Sequence, residues 1–299
     1  MSLRRLADPK NDVVFKLLFS SGPDSEEALR SLLTAVLRPP LPLKKVQVLD
    51  PGLPAGRPLH RSVILDVVAT LDDGTQVDVE MQTWKHPAFR ERALYYWARL
   101  FTRLLKRGER YDRLRHAISV LFLDYDEFEG GRWHSTFRPL EIHTGEVFSS
   151  AMEIHAIELG KLPASEQGGG EEAPLWRWSR FLKAETDEEV EALAMQDPGM
   201  RKARKVLRLL SKNEDVRRQA EARERYLATK QIYAEGEWRA GRAAGLEEGR
   251  AEGLRQAITL LCQVRGTPMD VAKRAWLESA PLEALEAELE RLGREAGLG

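Results

Sequence analysis

Apolar residues near the start of the chain recur with helical spacing. Val13, Val14, Leu17 and Leu18 share a face, with Phe15 and Phe19 beside them, and Asp8-Pro9 reads as an N-cap followed by proline at the first helical position. A second helix is predicted over Ser25 to Leu37, stopped by Pro39-Pro40. Val46 to Leu49 is a short strand candidate, and residues 51–58, with three prolines and two glycines, read as a loop. The clearest hairpin follows. Residues 62–71 are rich in β-branched side chains, Asp72-Asp73-Gly74 is a turn signal, and residues 75–82 alternate polar and apolar with period two. A long helix is predicted from about Pro87 to Arg107, ended by Gly108, then a buried strand over His116 to Leu123 and a further strand over Met152 to Leu159.

The pattern then changes. Residues 165–172 form a low-complexity stretch with three consecutive glycines, and from Trp176 onward strand signals vanish in favour of Ala, Glu, Arg and Leu. The predicted order is α-α-β-β-β-α-β-β followed by an all-helical region.

The hairpin carries the candidate chemistry. Asp66 lies between Val63-Ile64-Leu65 and Val67-Val68, in a strand that reads as buried on both faces. A carboxylate there is costly unless it is paired, protonated or bound to a metal. In the following strand Gln76, Asp78, Glu80 and Gln82 point to one face, and Val77, Val79 and Met81 to the other. A three-residue loop with Gly74 in the left-handed position pairs Leu71 with Thr75 and so sets Asp66 opposite Glu80. Their Cβ atoms would then be roughly 4.5–5.5 Å apart. A hard divalent cation such as Mg²⁺ relieves such a repulsion, and Gln82, on the same face, can reach a bound water or phosphate. A two-residue Asp73-Gly74 turn would shift the register by one, and Asp78 and Glu80 could then decorate a solvated strand face.

Charge adds a second element. The 299 residues hold 46 Lys and Arg against 47 Asp and Glu, a net charge of −1, which speaks against a wholly basic DNA-coating protein. Locally, residues 85–115 carry ten Lys and Arg against three acids. Leu94, Trp97, Leu100, Phe101, Leu104 and Leu105 form the apolar face of the predicted helix, while Arg92, Arg99, Arg103 and Lys106 fall on the opposite stripe. Such a stripe is either a solvated face or a track for a phosphate backbone. Tyr95 and Tyr96 read as core or site-wall residues.

Together these residues resemble a known group. Asp66, then Glu80-x-Gln82 at the end of the next strand, then a helix and a buried strand, are similar to the PD-(D/E)xK nuclease superfamily. Within it they resemble the Rpn family of recombination-promoting nucleases and transposase-related proteins. The resemblance rests also on residues 11–19 (NDVVFKLLF), Leu65 to Val68, Val79 to Gln82, residues 92–97 (RALYYW), and Gly108 to Tyr111. It implies an α/β fold with a PD-(D/E)xK nuclease-like core, a mixed central sheet flanked by helices, over residues 1–165. A loop at 166–175 and a helical region at 176–299 would follow. It implies metal-dependent hydrolysis of DNA phosphodiester bonds, with Mg²⁺ or Mn²⁺ held by Asp66 and Glu80 and water positioned by Gln82. Asp12 is implied as an additional ligand, and its other reading is a helix-terminal charge favoured by the macrodipole. The superfamily's usual lysine is replaced by Gln82, which can orient water but carries no charge; Lys85 or Lys16 could supply the missing cation. The expected DNA contacts are Lys16, Lys85, Arg92, Arg99, Arg103 and Lys106. The alternatives are a DNA-binding protein that keeps the nuclease fold with weak or no catalysis, and a helical interaction protein.

The helical region offers packing signals only. Gly241, Gly245, Gly249 and Gly253 recur every four residues, and four glycines cost a helix roughly 3–4 kcal/mol relative to Ala. The segment is therefore either a flexible spacer or a small-residue face for close helix contact, with a homodimer through the C-terminal helices as the expected partner. Leu282, Leu285, Leu289 and Leu292 mark a final helix, paired with Ile258, Leu261 and Val264 in a predicted helical hairpin. The single Cys262 excludes an intrachain disulfide and a cysteine-based zinc site, and the six histidines show no ligand spacing. With no signal-peptide pattern and no run long enough to span a bilayer, a cytoplasmic protein is expected.

Overall fold

The computed structural model describes residues 6–49, 52–53, 63–64, 66–105 and 108–295. They fall into two compact units, Met1–Arg225 and Tyr226–Gly299.

The first unit opens with α1 (Asp12–Ser20) and α2 (Pro23–Leu37). The cap of α1 is Asn11, whose side chain accepts from the Val13 and Val14 amides; Asp8 instead closes the preceding turn through the Lys10 amide. The expected Asp8-Pro9 start is thus displaced to Asn11-Asp12. The strands are β1 (Val46–Leu49), β2 (Gly52–Leu53), β3 (Val63–Ile64), β4 (Val67–Leu71) and β5 (Gln76–Gln82). After β5 come α3 (Phe89–Phe101), β6 (Ala117–Leu123), β7 (His134–Phe137) and β8 (Met152–Glu158). Helices α4 (Ala173–Lys183), α5 (Asp187–Ala194) and α6 (Pro198–Lys212) follow.

Six strands form one mixed sheet in the order β1-β4-β5-β6-β8-β7, while β2 and β3 pair only with each other. Strands β4 and β5 are antiparallel, and β5, β6 and β8 run parallel through helical or long crossovers. The hairpin turn is the three-residue kind. Gly74 has φ +85, the Leu71 amide donates to Thr75 O at 2.9 Å, and Gly74 N–H donates to Leu71 O at 3.0 Å. The unpredicted edge strand β7 is tied to β8 through buried histidines. His134 Nε2 lies 2.9 Å from His155 Nδ1, and His134 Nδ1 lies 2.7 Å from Glu172 Oε1.

Alternation assigns the two sheet faces. Val67, Ala69, Val77, Val79, Met81, Ile118, Val120 and Phe122 enter the large core with α1 and α2. That core also contains Trp178, Phe181 and Leu182 of α4, Val190 of α5, and Met200, Ala203 and Leu207 of α6. The expected boundary at 166–175 therefore lies within the first unit, because α4 and α6 bury their apolar faces against α1 and α2, which cover the sheet, and α5 packs against them. The opposite face is covered by α3 through Phe89, Ala93 and Leu100. Helix α3 ends at Phe101, short of the expected Arg107, and Leu94, placed on its apolar face by sequence, is 50% exposed.

The second unit contains the later part of α7 (Glu214–Val264), together with α8 (Val271–Ser279) and α9 (Leu282–Glu295). Its core holds Ala251, Ile258, the buried Cys262, Leu277, Leu285 and Leu292, so α8 joins the expected hairpin as a third helix. The four periodic glycines lie within α7 rather than in a spacer, and a Cβ added at any of them would meet nothing within 4 Å. Among the described residues no helix is long and apolar enough to cross a membrane.

One close approach fixes α6 on α2. A Cβ at Gly199 would lie 2.2 Å from Ser31 Cβ, and the Ser31 hydroxyl donates to the α6 cap Asp197 at 2.9 Å. In an open helix Gly→Ala stabilises. Here Gly199→Ala should destabilise by about 1–3 kcal/mol, because the added methyl has no space. A lowered urea midpoint with unchanged slope is the expected readout; a raised midpoint would show that the helices separate freely.

Candidate active site

The strand that reads as continuous over residues 62–71 is broken. Residues 63–64 belong to the separate β2–β3 ladder, Asp66 sits in a bend, and β4 begins at Val67. The observed pairs Val67↔Val79, Val68↔Asp78, Ala69↔Val77 and Thr70↔Gln76 carry the three-residue-turn register, so Asp66 follows directly on the ladder at the level of Glu80. With β4 ended, the Asp66 side chain takes over as acceptor: its Oδ2 receives the Met81 amide at 3.0 Å. The bend thus frees Asp66 from main-chain pairing while holding its carboxylate beside β5.

The electrostatics follow from that placement. Glu80 is 4% exposed and Asp78 1% exposed, while Asp66 is half-buried. Burial pushes the Glu80 carboxyl up to about 8, with the Asp66 charge adding to the rise and Arg92 and Gln82 opposing it. Burial likewise lifts Asp66 to about 6, opposed by the Met81 amide bond and by the Lys16 and Arg223 charges, with the Asp12 charge raising it further. Asp78 is raised well above the ordinary carboxylate range by burial, then by Glu80 and Asp66. The described residues offer no donor to either Asp78 oxygen while Asp78 and Glu80 are both ionised, and a proton on one of them lets the two share a hydrogen bond; the hydroxyl of Ser119, the Asp78 neighbour on β6, has no partner among the described residues.

Gln82 links Glu80 to a cation. The Arg92 guanidinium donates to Gln82 Oε1, and Gln82 Nε2 donates to Glu80 Oε2 at 3.0 Å. Arginine has only donors, so it fixes which end of the amide faces which neighbour. Arg92 therefore turns toward the carboxylates from α3, and lies 5.9 Å from the centre of the Tyr96 ring.

The remaining candidates divide. Asp12, the first residue of α1, is paired through Oδ2 with Arg223 of α7, while its Oδ1 is buried with no partner among the described residues. Lys16 follows one turn later, and its charge acts on Asp66. Lys85 faces elsewhere: its ammonium donates to Asp126 O at 2.8 Å and lies 3.5 Å from Glu127. Arg99 is half-buried and Arg103 is exposed just beyond α3. Lys106 lies outside the described residues. Two contributors escaped the sequence reading. Arg223 lies 211 residues from Asp12 and no local pattern joins them. Asp78 was on the correct face, and its flanking Val77 and Val79 with the helical crossover to β6 were the signal that this face is covered.

Among the described residues no group of three His, Cys, Asp or Glu forms a ready metal cage. The donor set still suits a hard divalent ion. The Asp66 charge raises Glu80, the Asp12 charge raises Asp66, Asp12 Oδ1 has no partner among the described residues, and magnesium sites take one or two carboxylates plus waters and phosphate.

A family model described as PD-(D/E)XK nuclease family transposase matches residues 9–237. The chain belongs to this family. No curated protein and no solved structure matches it. The mixed six-stranded sheet with flanking helices and a helical C-terminal region is consistent with the family's α/β fold. Membership relates the chain to nucleases and transposases, whose superfamily generally uses divalent metal ions and acts on DNA. The match runs past residue 165 to take in α4–α6 and the start of α7, the elements that complete the large core and supply Arg223.

The raised carboxyls predict a pH dependence. Folded Glu80 keeps a proton that the unfolded chain releases near 4.5, so its contribution is intact at low pH and is lost as pH rises toward about 8. In EDTA, thermal melts should show wild type losing stability relative to Glu80→Gln between pH 5 and 8.5, by an amount on the order of a few kcal/mol. Mg²⁺ should narrow that gap most at the alkaline end. A gap that does not vary with pH would contradict this protonation scheme.

Proposed function

We propose that the protein is a metal-dependent DNA endonuclease that hydrolyses phosphodiester bonds, with Asp66 and Glu80 as its metal ligands. The observation that carries this reading is the pair of carboxyls brought level with one another at a strand break, both raised by burial and Glu80 raised further by the Asp66 charge. Asp66, Glu80 and the unpartnered Asp12 Oδ1 are the oxygens that would hold Mg²⁺ or Mn²⁺. When bound, such an ion supplies Lewis-acid stabilisation of phosphate charge and lowers the pKa of a coordinated water.

The chain's own groups do the rest. The Met81 amide occupies Asp66 Oδ2 and leaves Oδ1 for a ligand. Gln82 occupies Glu80 Oε2 in the same way. With both ends engaged, Gln82 orients Glu80 first, and only its second amide hydrogen is left for a water. The positive charge that the superfamily places on lysine is carried one bond further out by Arg92, which supports Gln82. Lys16, from the first helix, acts electrostatically on Asp66 and is a second cation for a phosphate drawn to the site. Arg99, on α3, and Arg103, just beyond its end, continue outward as backbone contacts.

Plasmid nicking with Mg²⁺ or Mn²⁺ tests the reading. Asp66→Ala and Glu80→Ala should each reduce nicking by more than about 100-fold, beyond the 10–100-fold typical of supporting residues, whereas Arg92→Met should fall within that supporting range. Activity surviving both carboxylate substitutions would overturn the site. Salt-sensitive DNA binding without cleavage in the wild type would instead identify a DNA-binding protein that keeps the fold, a reading favoured by the absence of a lysine at position 82.

A further inference from the structure

Helix α3 and the segment leading into it have few cations left for a long polyanion. Lys85 and Arg90 are held at Glu127, and Arg92 serves Gln82. A second basic surface lies in the same compact unit. Residues 198–225 carry ten Lys and Arg against four acids, and α6 itself has six cations and no acid. Arg201, Lys205, Arg208 and Lys212 repeat at spacings of four, three and four, a single helical face about 16 Å long. All four line an open groove of about 540 Å³ between α5 and α6.

The neighbouring acids only partly neutralise this stripe. Asp24 takes Lys202 and Lys205, each at 2.7 Å, while Asp187 sits 2.9 Å from Arg204 and 3.6 Å from Arg208. Arg201 and Lys212 have no ion pair among the described residues. The segment also leads to the carboxylates. Ser211 receives the Ala7 amide at 2.9 Å, Asn11 donates to Ala220 O at 3.2 Å, and Arg223 pairs with Asp12 beside Asp66.

We infer that the α6 stripe is a phosphate-backbone contact, additional to the residues around the carboxylates. This rests on the endonuclease reading, and the occupant is a nucleic-acid backbone rather than an acidic protein segment because the stripe is continuous with the elements that close on the candidate active site.

The test is binding of a 20-base-pair duplex by fluorescence anisotropy, with the full chain in EDTA across a salt series. Arg208→Gln/Lys212→Gln should lower the slope of log affinity against log salt by about 2 and weaken binding on the order of tenfold or more. Circular dichroism and melting should match the wild type, since both side chains are exposed. A wild type that binds duplex while this variant keeps its slope overturns the α6 surface and leaves the carboxylate site standing. A wild type with no duplex affinity overturns both. Displacement of the duplex by an equal charge concentration of polyglutamate, lost in the variant, would assign the groove to acidic protein segments and overturn the proposal.

Discussion

Three carboxyl groups, at positions 66, 78 and 80, lie on one face at the middle of a sheet and beneath a helix. Water would solvate such groups far better than protein does, and the surrounding structure is arranged around that deficit. Protons offset part of it, as the raised Asp66, Asp78 and Glu80 carboxyls indicate. Polar neighbours offset more: the Met81 amide at Asp66, the Gln82 amide at Glu80, and the charges of Arg92, Lys16 and Arg223. The unpartnered Asp12 Oδ1 marks what the protein groups leave unsatisfied. A protein selected for stability alone would place apolar residues here.

The topology explains why these partners can meet. Strand β5 is flanked by an antiparallel neighbour that ends early and a parallel neighbour reached by a helical crossover. The early end of β4 opens a gap for Asp66, and the crossover places α3, with Arg92, over the Glu80 face. The first helix approaches from the other side of the sheet with Asp12 and Lys16 at its start. The residues that meet here thus come from α1, the β4–β5 hairpin, α3 and α7, on a scaffold whose apolar residues fill the opposite face.

Much of this was legible in the chain. Alternation in residues 75–82 was sufficient to put Asp78, Glu80 and Gln82 on one face, and the Asp72-Asp73-Gly74 turn narrowed the register to two choices, of which the structure has the three-residue one. The break at Asp66 was not legible. Val63 and Ile64 have the same β propensity whichever ladder they join, and only the competition between two sheets decides. Edge strand β7 was missed because His134 to Phe137 is short and polar, and its one histidine is buried against His155 of β8 rather than within an apolar run. The reach of the first unit was also underestimated. The glycine-rich stretch at 168–170 looks like a linker locally, while the amphipathic faces of α4 and α6 say nothing about which partner they cover.

The pairing of Asp12 with Arg223 constrains where this chain can be divided. A fragment ending at residue 165 would keep every strand of the sheet and both proposed metal ligands. It would also strip Trp178, Phe181, Met200 and Leu207 from the large core and leave Asp12 without its guanidinium partner. The smallest piece with the carboxylates in their native surroundings runs through the start of α7, to about residue 225. The candidate site thus belongs to a length of chain about twice that of the sheet that displays it.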